Sequence, residues 1–64
     1  MPLTNRERQI ALLAASGQTS RAIAEQLYLS ARTVDNHLGR IYEKLGVSNR
    51  AELAAALDRN RGEQ

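Results

Sequence analysis

The stretch "LSARTVDNHLGRIYEKLGV", Leu29 to Val47, decides how the rest of the chain is read. Val34, Leu38, Ile41 and Leu45 are separated by 4, 3 and 4 residues, the spacing that keeps side chains on one side of a 3.6-residue repeat. Ser30 stands where an N-cap would open this helix, and Gly46 where a left-handed residue would end it. Turning about 100° per residue from Val34, the positions Arg32, Asn36, Gly39, Arg40 and Glu43 fall between about 140° and 240°, opposite the stripe. Asp35 lies on one flank, and Thr33, His37 and Lys44 on the other. A merely solvated face accounts for the charges but not for Gly39, which in mid-helix costs about 1 kcal/mol relative to alanine. A small residue there lets the helix approach another backbone closely.

Outward from this segment, the punctuation predicts helices over about 5–16, 20–27, 31–45 and 50–58, a frayed polar tail over 59–64, and no strands. Thr4 and Glu7 form a capping box for the first helix, whose inward stripe is Ile10, Leu13 and Ala14 with Leu12 at its edge, and Gly17 ends it. Thr19 or Ser20 caps the second helix, which carries Ile23 and Leu27 four apart. Tyr28 to Ser30 make a very short connection into the third. Asn49 with Glu52 repeats a capping-box-like pair at the fourth, and Glu7 and Arg50 are expected to pair across the core. The fold class is therefore all-α: one domain, a four-helix bundle without a wing.

Composition narrows the function. A chain of 64 residues buries only about 60% of its unfolded surface, so a deep catalytic cleft or small-molecule pocket is not expected, nor an enzyme. There is no cysteine, which removes disulfides and thiolate metal sites. His37 has no ligand partner at useful spacing, and no glycine-rich phosphate loop is present, so neither metal nor cofactor is expected. Apolar runs fall far short of the roughly 20 residues of a membrane helix, which predicts a soluble, cytoplasmic chain with no membrane partner. Nine Lys plus Arg against seven Asp plus Glu give a net charge of +2, a mild preference for an acidic partner such as nucleic acid.

A short capped helix, a three-residue connection and a longer capped helix make the helix-turn-helix plan, whose second helix enters the DNA major groove. There the outer face acquires chemistry. Arginine can bond guanine O6 and N7 in pairs, asparagine adenine N6 and N7, and aspartate can accept from cytosine N4. Arg32, Asp35, Asn36, Gly39 and Arg40 are the candidate base-facing positions. Thr19, Ser20, Arg21, Thr33, His37 and Lys44 suit phosphates, because hydroxyls, cations and helix N-terminal amides bind anions without reading sequence.

From Leu3 to about Leu57 the chain also resembles the LuxR/FixJ/NarL-type helix-turn-helix, the C-terminal DNA-binding domain of many bacterial transcriptional regulators. The resemblance is carried by "LTNRERQI", "IAEQLYLS", "RTVDNHLGRI" and "KLGVSNRAEL", in order and at matching intervals. It implies sequence-specific binding of double-stranded DNA on a pseudo-palindromic site, with the third helix in the groove and the fourth at a dimer contact. Carried over by position, the DNA-facing places are Arg32, Thr33, Asp35, Asn36, Gly39 and Arg40, with Thr19, Ser20 and Lys44 near the backbone. Three positions depart from the pattern: members often have a lysine or arginine at Asp35, a polar or cationic residue at Gly39, and a glutamate at Ala22.

On the fourth helix, Ala51, Ala55 and Asp58 point away from Leu53 and Leu57. Outward alanines fit either a two-fold contact or simple helix propensity; the resemblance implies a homodimer, and a patch so small should hold it only weakly. The competing reading is a helical protein-binding module, such as a sigma-factor-like promoter domain with RNA polymerase as a partner. The fourth helix after "KLGVSNRAEL" favours the regulator, since the sigma pattern ends soon after its recognition helix.

Overall fold

The computed structural model describes residues 2–62, in which four helices and no strand are found: α1 Asn5–Ala15, α2 Ser20–Leu27, α3 Ala31–Leu45 and α4 Arg50–Gly62. Each start has a local cause. Thr4 Oγ1 accepts from Glu7 N while Glu7 Oε1 accepts from Thr4 N, at 3.1 and 2.9 Å, which satisfies two amides that the helix itself cannot. Thr19, rather than Ser20, caps α2 by accepting from Ala22 N, and Ser30 caps α3 by accepting from Thr33 N. Asn49 Oδ1 accepts from Glu52 N, and the Glu52 carboxylate reaches back to Ser48 N.

The three internal helix ends share one device. Gly17, Tyr28 and Gly46 have positive φ, and the next residue's amide returns to a carbonyl five residues earlier: Gln18 to Leu13, Leu29 to Ala24, Val47 to Tyr42. This bond closes orphan carbonyls and reverses the chain. At Tyr28 the left-handed backbone is borne by a bulky residue, at about 1–2 kcal/mol, with its ring in solvent. The α2–α3 turn is thus tight without a glycine.

Packing follows the apolar periodicities. Ile10, Ala11 and Ala14 of α1, Ile23 and Ala24 of α2, Val34, Leu38 and Ile41 of α3, and Leu53 and Leu57 of α4 form one buried cluster. Leu3, Leu13, Leu27, Leu29, Tyr42, Leu45 and Val47 pack partly against it. α3 lies against α1 and α2, and α4 packs chiefly on α1. At α1 the edge of the stripe is Ala11, fully buried, and not Leu12, which is 48% exposed. Positions 7, 10, 11 and 14 form the inward face, and residue 12 lies about 200° from Ile10.

α4 continues to Gly62, past the end near Asp58 that the sequence suggests. No proline or glycine intervenes between Asp58 and Gly62, and arginine is a good helix former. Of the expected frayed tail, residues 63–64 lie outside the described residues. No described helix is long and apolar enough to cross a membrane.

Candidate nucleic-acid interface

Burial of Val34, Leu38 and Ile41 fixes the rotation of α3 and turns its other side outward. Arg32, Asp35, Asn36, Gly39 and Arg40 are all exposed there, with Thr33 and His37 half-buried on the flank. A Cβ built on Gly39 would meet no heavy atom within 4 Å, so nothing inside the chain requires glycine at that place. Thr33 is tied into the cap, its hydroxyl 2.8 Å from Ser30 Oγ.

The N-terminus of α2 adjoins this face. Thr19 and Arg21 are exposed and Ser20 half-buried, and the Ser20 hydroxyl donates to Asp35 Oδ1. That bond joins two helices across 15 positions of sequence. Ser20 is held in turn by α4, since Arg50 Nη2 lies 3.5 Å from Ser20 Oγ while Nη1 donates to the Gln18 carbonyl. The first residue of α4 thereby braces the α1–α2 turn and the start of α2. Sequence reasoning missed this brace, because a contact spanning 30 to 32 positions leaves no local signature.

One expectation is corrected here. Glu7 is not paired with Arg50 but with Lys44, whose Nζ donates to Glu7 Oε1 at 2.7 Å. Lys44 thereby directs its ammonium at α1 in the free chain. The reason is the cost of burial: the Glu7 side chain is only 6% exposed, and a carboxylate so enclosed requires a cation or donors. The Lys44 ammonium, with the Thr4 amide, holds the Glu7 carboxyl below its ordinary value. Among the described residues every buried side-chain nitrogen or oxygen has a partner.

On α4, Ala51, Ala55 and Asp58 are exposed at spacings of 4 and 3. Beside Ala55 an open groove of about 270 Å³ runs between the α3–α4 turn and α4, lined by Gly46, Val47, Glu52, Ala55 and Arg59. Among the described residues no cluster of His, Cys, Asp or Glu could hold a metal ion.

Residues 1–57 match the family described as bacterial regulatory proteins, luxR family. The chain is 53% identical over 53 residues to the transcriptional regulatory protein UhpA of Escherichia coli, covering 83% of this chain and 27% of that protein. It is 48% identical over 59 residues to the "Probable transcriptional regulatory protein NarL" of Mycobacterium tuberculosis, covering 92% and 27%. To the transcriptional regulatory protein LiaR of Bacillus subtilis it is 41% identical over 58 residues, covering 91% and 28%. The chain thus spans about a quarter of the length of the curated relatives it matches.

Proposed function

We propose, from the premise that this chain belongs to the luxR family of bacterial regulatory proteins, that it is the DNA-binding domain of a transcription regulator and binds double-stranded DNA sequence-specifically through α3. The observation that carries the reading is the outward row of Arg32, Asp35, Asn36, Gly39 and Arg40 on a helix whose opposite stripe is buried. In the major groove, Asn36 pairs with adenine and Arg32 and Arg40 with guanine, each good bidentate contact giving about 1–3 kcal/mol of discrimination. Gly39 admits the close approach. Asp35 accepts from a cytosine amino group. Thr19, Ser20, Arg21, Thr33 and His37 set the register on phosphates. Lys44 is left out of this set because Glu7 holds its ammonium.

Two copies occupy a pseudo-palindromic site with half-sites about 34–36 Å apart, meeting through Ala51, Ala55 and Asp58 of α4. An outer face built around alanines is small, which supports a contact weak in dilute solution and completed on DNA.

The test is a selection of bound duplexes from a random pool, followed by anisotropy titrations with a selected and a scrambled duplex. Asn36→Ala should lower affinity for the selected duplex and leave the scrambled one nearly unaffected. Equal losses on both would show that Asn36 does not read bases.

A further inference from the structure

The Ser20 hydroxyl has two claims on it. As a member of the phosphate-contacting set it should donate to the DNA backbone, yet in the free protein it donates to Asp35 Oδ1. A serine carries one O–H and can donate to one acceptor at a time. Its oxygen also faces Arg50, which approaches it at 3.5 Å while anchored on the Gln18 carbonyl. Ser20 therefore cannot donate to a phosphate while keeping Asp35. Asp35, by contrast, is exposed on the outer flank of α3, where a change of staggered rotamer can carry its carboxylate off Ser20.

We infer that Asp35 is a specificity-determining residue that couples base reading to backbone contact by exchanging its hydrogen-bond partner. On a matched site a base-edge amino group, as cytosine presents in the major groove, takes the carboxylate, and the released Ser20 hydroxyl turns to a phosphate. On an unmatched site the carboxylate finds no donor, stays on Ser20, and that phosphate contact is not made. Carboxylate and phosphate are both anionic acceptors, so with the right base the exchange ends with one bond more, whereas with the wrong base it gains none and leaves the carboxylate without a donor. A backbone contact, ordinarily blind to sequence, is in this way made conditional on sequence. The inference rests on the groove reading above, and its test separates the two.

The experiment is a double-mutant cycle of Ser20→Ala and Asp35→Ala on the intact chain, titrated with a duplex selected from a random pool and with a scrambled duplex of the same composition. Alanine on the exposed face of α3 favours the helix, and circular dichroism verifies the fold of each variant. In the wild-type background Ser20→Ala should weaken the selected duplex about tenfold, the size of one hydrogen bond to a charged group, and the scrambled duplex less than about twofold. With Asp35→Ala present, Ser20→Ala should weaken both duplexes about tenfold, because the hydroxyl is then free for phosphate everywhere. If Ser20→Ala has the same effect on both duplexes in the wild-type background, the exchange is overturned, while Asn36→Ala still reports on the groove reading alone. Failure of the wild-type chain to prefer any duplex overturns both.

Discussion

Replacing Gly39 by alanine should make the protein more stable and a poorer DNA binder at once. In the free chain a Cβ at Gly39 meets no heavy atom within 4 Å, and the residue is exposed in the middle of α3. Nothing must move to accept the methyl group, so the full propensity difference between alanine and glycine, about 0.8–1.0 kcal/mol, should appear as stability. For a domain of this size that corresponds to a rise in Tm of about 4–8 °C. In the proposed complex the same methyl group points at the base edges. If the backbone of α3 comes close enough to need a glycine, the crowded contact should cost about 1–3 kcal/mol of affinity, the usual penalty for overpacking. Thermal denaturation by circular dichroism reads the first effect and anisotropy titration with a selected duplex the second. A stabilised Gly39→Ala protein that binds as tightly as the wild type would refute the close approach. A protein that is not stabilised would refute the placement of Gly39 in an open helical position.

Other consequences follow from the core and its charges. The Glu7 carboxyl titrates below its ordinary 4.5 because Lys44 and the Thr4 amide favour the charged form, so its contribution to stability is complete above that value and is lost as pH falls through the lower, folded one. The gap in Tm between wild type and Glu7→Gln should therefore be widest near neutral pH and close in acid, and a constant gap across that range would contradict the pairing. Tyr28→Gly relieves about 1–2 kcal/mol of left-handed strain against about 0.5–1 kcal/mol of added chain entropy, and urea titration should show a small net gain. Leu53→Ala, at a fully buried site, should cost about 2–5 kcal/mol. Against a total of roughly 3–10 kcal/mol for a chain of this length, that leaves a visibly weakened domain in the same urea assay.

The parts of the fold that are local in cause were legible in the sequence. The 4-3-4 spacing of Val34, Leu38, Ile41 and Leu45, the Thr4–Glu7 box, and Ser30 and Gly46 at the ends of α3 all act within a few residues. The all-α fold class was readable from them, and so was the outward set Arg32, Asp35, Asn36, Gly39 and Arg40 as an exposed face. What escaped depended on tertiary geometry. Tyr28 gives no sign that it takes a left-handed backbone, because a bulky side chain is a poor choice for that conformation. Lys44 and Arg50 are both basic and both near helix ends, and only the packed arrangement decides that Lys44 neutralises Glu7 while Arg50 braces Gln18 and Ser20. The Ser20–Asp35 bond was invisible for the same reason: two plausible DNA-contacting side chains turned out to hold each other.

The most direct measurement of the central claim is an amide chemical-shift titration of the labelled chain with a selected duplex. Burial of one stripe of α3 and exposure of the other predicts that the largest shifts fall on Arg32, Asn36, Gly39 and Arg40 and on the start of α2 around Thr19 to Arg21. Shifts confined to α1 or to the outer face of α4, with α3 unmoved, would contradict it.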